Sequence, residues 1–257
     1  MITIKNEKEF EKMAIAGQCV AAVHEAVVAA ADVGVSLLEL DEVAAEVIRN
    51  RDCKPSFLGY HGFPAHICTS PNNVIVHGIP SKYRLKSGDV LSIDAGAIYE
   101  GYHGDAALTF GVGDMAPEAV SLLDVTNRAL WAGIDQVTHG AKTGDIGHAV
   151  EQVAKPHGYG VVREYVGHGI GRAMHESPQV PNYGKPGIGH RLKKGMAICI
   201  EPMFNAGDHT TRTEDDGWTV VTADGSLSAH FEHTVAITAD GPKITTVSDL
   251  LTSRPTS

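Results

Sequence analysis

Apolar residues recur at helical spacing from Glu7 to Ala31, where Glu and Lys alternate with Ala and Val. This predicts a long amphipathic helix that Gly34 closes off. Ser36-Leu37-Leu38-Glu39 has the S-x-x-E form of a capping box and starts a second helix running to Arg51. Between Pro55 and Pro80 the chain is crowded with Gly, Pro and Asn, which reads as loops and short strands. The period then changes from helical to two. Val90–Ile98 and Tyr102–Val112 alternate apolar and polar residues around a turn near Glu100-Gly101, the pattern of a hairpin. Helical spacing returns from Pro117 to Val137, breaks at Gly140, and resumes from Thr143 to Lys155.

The order of elements repeats, and so does some of the sequence. Leu85-Lys86-Ser87-Gly88-Asp89-Val90-Leu91-Ser92-Ile93-Asp94 aligns without gaps on Leu192-Lys193-Lys194-Gly195-Met196-Ala197-Ile198-Cys199-Ile200-Glu201, 107 residues later, and each copy ends in a carboxylate. Gly34-Val35 and Gly140-Ala141 lie 106 residues apart, each just before a helix. The expectation is one α+β domain over residues 1–257, made of two pseudo-symmetric helix–helix–hairpin halves of about 1–114 and 115–247 around an antiparallel sheet.

Composition narrows the function. With 31 acidic and 21 basic residues the formal charge is −10, and no Lys/Arg run stands out. That is a poor match for a phosphate backbone, so direct nucleic-acid binding is not expected. The most apolar stretch, Val20 to Leu40, is interrupted by His24, Glu25, Asp32 and Glu39, so no membrane span is expected. The charged N-terminus shows no apolar signal region, which points to the cytoplasm. Cys19, Cys53, Cys68 and Cys199 form no C-x-x-C pair and read as reduced thiols, not a disulfide frame or a structural zinc module.

The acidic residues within apolar strands carry the chemistry. If the hairpin is centred between Tyr99 and Glu100, paired positions sum to 199, which sets Asp94 directly opposite Asp105. Like charges facing each other in an apolar strand pair destabilise it unless a cation lies between them. No Lys or Arg occurs between Ile93 and Val112, so a metal ion is the simplest source of that charge. The second half offers Glu201 at the end of an apolar strand, Glu232 in the alternating run Ser228–Ile237, and His168 between small neighbours in Gly167-His168-Gly169-Ile170-Gly171. Any one alone would read as an ordinary salt-bridged residue. Five at repeat-related positions point to a metal centre. Four carboxylates and one imidazole form a hard, oxygen-rich set that suits divalent manganese, iron, cobalt or zinc. Four negative charges balance two dications, whose bridging water can have its pKa lowered towards about 7, which is hydrolytic chemistry. The glycines around His168 miss the G-x-G-x-x-G spacing of a nucleotide loop, and no helix opens after them; they read as positions where backbone approaches the metal centre.

Ile93-Asp94, Gly101-Tyr102-His103-Gly104-Asp105, Gly167-His168-Gly169-Ile170-Gly171, Ile200-Glu201-Pro202-Met203 and Phe231-Glu232-His233-Thr234 resemble, in order, the five metal-ligand motifs of methionine aminopeptidases. The resemblance runs from Ile4 to Ile244 and implies the pita-bread fold. Only 31 residues separate Glu201 from Glu232, which resembles the type I enzymes. By this resemblance Asp94 binds one metal through both oxygens, Asp105 and Glu232 bridge two divalent ions, and His168 and Glu201 complete the second. Glu201 also accepts a proton from the bridging water, His77 contacts substrate beside the scissile bond, and His175 hydrogen-bonds the peptide carbonyl and developing oxyanion. Tyr60, Phe63, Cys68 and Trp218 match positions around the methionine side chain. Phe57, Phe63, Val76 and Met174 depart from the residues common in the family. The implied reaction removes the initiator methionine from nascent polypeptides whose second residue is small, by a monomeric enzyme working close to the ribosome. Two other readings stand beside it: an X-Pro hydrolase of the prolidase or aminopeptidase P type, and a non-catalytic peptide- or protein-binding module of the same fold.

Overall fold

The computed structural model describes residues 2–248 and 250. Four helices, α1 (Glu7–Ala30), α2 (Leu37–Asn50), α3 (Pro117–Ile134) and α4 (Thr143–Ala154), flank sheets whose strand pairs are all antiparallel. The Ser36 hydroxyl accepts from the Glu39 N–H at 3.3 Å while the Glu39 carboxylate accepts from the Ser36 N–H at 2.8 Å, so the capping box forms as the sequence implies. α1 begins on a second box, Asn6 with Glu9.

Among the described residues α1 alone is long and apolar enough to cross a membrane. Its apolar side is instead spent on the core: Met13, Ala16, Val20, Val23 and Val27 are fully buried. α1 lies across the long hairpin of Val90–Tyr99 and Tyr102–Gly111. The approach is close enough to require glycine on the hairpin, because a Cβ on Gly104 would lie 2.6 Å from the Gly17 nitrogen. Overpacking of that kind costs about 1–3 kcal/mol.

The internal repeat is visible as the same hydrogen bonds made twice. Gly34 N–H donates to the Leu85 carbonyl at 2.8 Å, and Gly140 N–H to the Leu192 carbonyl at 3.0 Å. The return bonds, Leu85 to Val35 and Leu192 to Ala141, measure 2.9 and 2.7 Å. Arg84 Nη1 donates to the Gly34 carbonyl and Arg191 Nη1 to the Gly140 carbonyl. Gly88 and Gly195 occupy matching turns at φ +93° and +90°, a region that disfavours side chains.

The hairpin register differs from the expected one. Tyr99 pairs with Tyr102, so partners sum to 201, Asp94 faces Ala107 and Asp105 faces Gly96. A two-residue turn causes this: Glu100 and Gly101 both take positive φ, at +44° and +80°, the geometry of a tight hairpin turn. Asp94 and Asp105 are therefore diagonal neighbours, not directly opposed. The sum differs by two, an even step, so both carboxylates still project from one face.

Strands of the two halves meet at the positions that matter. Tyr102–Gly111, in the sheet with Ile67–Pro71, is stitched to the segment Ser228–Thr238, which belongs to the second half. Thr109 exchanges hydrogen bonds with the His230 backbone, Glu232 N–H donates to the Ala107 carbonyl at 2.8 Å, and the Thr234 hydroxyl bonds both backbone groups of Asp105. In the five-stranded sheet, His233–Thr238 pairs with Ala197–Ile200, which pairs in turn with Gly167–Gly169. One seam thus gathers Asp105, Glu232, Glu201 and His168.

Candidate metal centre

Asp94, Asp105, His168, Glu201 and Glu232 all line one cavity of roughly 280 Å³. Asp105, His168 and Glu232 are 3%, 7% and 2% exposed. His168 Nδ1 lies 2.9 Å from the Gly169 carbonyl. A carbonyl only accepts, so Nδ1 carries the proton and Nε2 presents its lone pair to the cavity. That Nε2 is 3.7 Å from Asp105 Oδ2 and 3.6 Å from Glu201 Oε1. The flanking glycines serve backbone packing: a Cβ on Gly167 would meet the Cys199 carbonyl at 2.3 Å, and one on Gly169 the Ser177 carbonyl at 2.3 Å. They let neighbouring strands close on His168, instead of clearing room for a ligand.

The donor set fits a divalent cation. Asp94 Oδ1, Asp105 Oδ1 and Glu232 Oε1 are buried without a hydrogen-bond partner. Orphaned carboxylate oxygens in the interior are costly unless a cation compensates them. Burial, and then the neighbouring carboxylates, push Asp105 and Glu201 well above the usual carboxylate range, with Glu232 raised in the same way. Burial raises Asp94 to about 7. It also lowers His168 to about 3, so the imidazole is neutral and available as a ligand.

Two further side chains enter the site that the sequence reading did not place there. Cys199 Sγ and ligand atoms of Asp105, His168 and Glu232 all lie within 4.8 Å of one another. Cys199 follows the repeat alignment as an ordinary strand position two residues before Glu201, and nothing in a thiol at that spacing signals a site. His230 is fully buried, with Nε2 3.8 Å from Glu201 Oε2 and without a hydrogen-bond partner. Its proximity arises from the stitching of Ser228–His230 to Thr109, a pairing 121 residues apart.

The other wall of the cavity is apolar and aromatic. Phe63 packs edge-on against Trp218 with ring centroids 5.1 Å apart, and Phe57 meets Phe63 at 6.5 Å. Cys68, Val76, Met174 and Tyr60 line the same space. The residues that depart from the family pattern therefore all border the pocket and keep it apolar. His77 sits at φ +58° with its ring edge-on to Tyr165 and Trp218, and burial lowers it to about 4. His175 Nδ1 is 2.8 Å from the Tyr60 hydroxyl, and its ring centroid is 4.3 Å from that of His168. All eleven site residues singled out from the sequence line this cavity.

These shifts set a pH dependence. A carboxyl whose folded pKa is raised contributes stability at low pH that is lost as pH rises through the folded value. The buried histidines act in reverse, since His168 and His230, both lowered to about 3, contribute stability above the unfolded value of about 6.5 and lose it on acidification. Above about pH 6.5 these two histidines no longer change, while the raised carboxyls still do. The metal-free protein is therefore expected to melt at progressively lower temperature from pH 6.5 to 8.5, while Mn²⁺ flattens that decline. Calorimetry of chelator-treated and Mn²⁺-loaded protein tests this, and a metal-free melting temperature that holds or rises over that range refutes it.

Comparison with known proteins follows the same lines. The model of metallopeptidase family M24 matches residues 11–239. A methionine aminopeptidase of Clostridium acetobutylicum is 49% identical over 248 residues, covering 96% of this chain and 99% of its own. The crystal structure of methionine aminopeptidase from Thermotoga maritima matches with a TM-score of 0.95 at 42% identity, over 96% of this chain and 100% of that one. Prolidase from Pyrococcus furiosus matches at a TM-score of 0.78 and 22% identity, covering 96% of this chain and 66% of its own, which marks a shared pita-bread fold.

Proposed function

The chain belongs to metallopeptidase family M24, and from that membership we propose that it removes the initiator methionine from polypeptides whose second residue is small. The observation that carries this reading is the single cavity in which five metal-type ligands face an apolar, aromatic pocket. An unbranched thioether suits such a wall, since sulfur packs favourably against aromatic edges. Two divalent ions, of manganese, iron, cobalt or zinc, match the four carboxylates in charge. Held there, they would supply Lewis acidity and lower the pKa of the attacking water.

The chain's own residues then divide the work. Asp94, Asp105, His168, Glu201 and Glu232 would hold the ions. Glu201 takes up the proton of the nucleophile, with the neutral His230 at its back. Phe63, Trp218, Tyr60 and Cys68 surround the methionine side chain and exclude water from it. His77 and His175 stand beside the metal ligands as neutral donors for the peptide group, and Tyr60 orients His175 through its 2.8 Å hydrogen bond. The four described cysteines are buried free thiols, which supports a reducing cytoplasm as the place of action. There we place it as a monomer acting on nascent chains near the ribosome.

Purified protein with Mn²⁺ or Co²⁺ is expected to release methionine from Met-Ala-Ser and to leave Ala-Pro intact. No methionine release with either metal defeats this reading. Cleavage of Ala-Pro in preference makes the chain an X-Pro hydrolase of the same fold. Absence of a tight site in a metal titration makes it a non-catalytic binding module.

A further inference from the structure

The segment before α1 reaches the site from outside it. Ile2 forms a parallel bridge with Ser177, and Lys5 N–H donates to the Gly195 carbonyl at 2.7 Å. Residues 2–5 therefore run from the strand Glu176–Val180 to the turn at Gly195. Lys5 Nζ donates to Glu176 Oε2 at 2.9 Å, and the two side chains are only 5% and 7% exposed. The Thr3 hydroxyl donates to the same oxygen. The other oxygen, Oε1, accepts from the backbone N–H groups of Arg172 at 3.0 Å and Ala173 at 3.3 Å. One carboxylate thus receives four donors, two from the N-terminal segment and two from the turn that leads to His175. Burial alone would raise Glu176, yet the Lys5 and Thr3 hydrogen bonds hold it below its ordinary value.

The turn has little freedom left. A Cβ on Gly171 would meet Lys5 Cε at 2.5 Å and Glu176 Oε1 at 2.8 Å. On its far side the Arg172 guanidinium stacks 4.6 Å from the Tyr102 ring centroid, and His103 N–H donates to the Gly171 carbonyl at 2.8 Å. His175 immediately precedes Glu176, so the orientation of its ring depends on where this carboxylate is anchored. An open groove lined by Thr3, Arg172, Glu176 and Gln179 continues from the cavity past His175, which places the N-terminal segment at the mouth of the site.

We propose that the buried Lys5–Glu176 ion pair is a positioning device: the N-terminal segment pins the turn at residues 171–176 and thereby aims His175 into the cavity. Lys5 touches neither the metal ligands nor the space for substrate, and acts through Glu176. The proposal rests on the reading of His175 as a substrate-facing donor. Removing the ammonium leaves an uncompensated buried carboxylate, which relaxes by pulling the turn towards water. A displacement of about 1 Å in a group facing the reacting bond can cost on the order of 10²-fold in rate.

The test uses the metal-loaded enzyme and Met-Ala-Ser. Lys5→Met is expected to lower kcat by ~10–100-fold with KM changed by less than about threefold, and Lys5→Arg to recover most of the loss. In a His175→Ala background, Lys5→Met should cost less than about a further threefold, because the two act as one unit. Ring resonances of labelled histidines in the Zn²⁺ enzyme give a second readout, with His175 assigned by its disappearance in His175→Ala. They should show His175 shifted in Lys5→Met and His230 unmoved. Losses that multiply in the double variant, or an unmoved His175 resonance, overturn the proposal. If Lys5→Met fails to fold, Glu176→Gln carries the same measurements, since its amide oxygen can still accept from Arg172 and Ala173 while the ion pair is gone. Unchanged turnover in His175→Ala alone refutes the role given to His175, and the resonance shift then still decides whether Lys5 positions it.

Discussion

Asp105→Asn is expected to empty the metal centre and to abolish cleavage with it, lowering kcat/KM by at least ~10³-fold, more than the removal of one oxyanion donor brings. Asp105 is central to the ligand set: its Oδ2 faces His168 Nε2 at 3.7 Å, and its Oδ1 is buried without a partner. The backbone on either side is fixed by the Thr234 hydroxyl, which holds both peptide groups of Asp105. An asparagine therefore stands in the same place with nearly the same shape. It lacks the charge, and it turns an N–H towards other ligands where a carboxylate offered a second oxygen. Three carboxylates and a misdirected amide would hold divalent metal far more weakly.

The stability of the metal-free protein should change little. Burial and the neighbouring carboxylates already force Asp105 to keep its proton there, so a neutral amide in its place costs the fold little. Elemental analysis, methionine release and a melting curve of the metal-free variant decide the matter together. Full metal content or retained activity refutes the assignment. A large drop in metal-free melting temperature would make Asp105 a structural residue first.

The contrast between what could and could not be read from the chain follows from sequence distance. The helices, the hairpin and the Ser36–Glu39 box depend on neighbours within a few residues, and each appears where local spacing implies it. The gap-free alignment of 85–94 on 192–201 was legible because each half needs the same glycine turn before the same strand, and Gly88 and Gly195 adopt it. The exact pairing of Asp94 was not, because the turn admits Glu100 at positive φ, a residue that gives no hairpin signal. Only the parity of the shift preserved the conclusion drawn from it. Cys199, His230 and the Lys5–Glu176 pair lay beyond reach for a different reason. Their positions are set by threonine stitching and by a segment bonded across 171 residues, and no local pattern encodes such contacts.

The second large effect separates binding of metal from use of it. His175→Ala is expected to keep the full metal content and to lower kcat by ~10²–10³-fold, with KM little changed, as for the loss of a donor made in the transition state. Its ring lies 4.3 Å from that of His168, yet it belongs to no metal-type cluster among the described residues, so truncation leaves the ligands intact. Burial lowers its pKa below the ordinary histidine value, which keeps the ring neutral. In the tautomer whose Nδ1 accepts from the Tyr60 hydroxyl, 2.8 Å away, the ring's own N–H sits on Nε2. A neutral donor has no titration to lose in this range. The ratio of wild-type to variant kcat should therefore stay constant from pH 6.5 to 9, and His175→Asn, which retains an N–H, should recover part of the rate. A ratio that collapses as pH rises would identify a cationic imidazole instead, and loss of metal in His175→Ala would place the residue among the ligands.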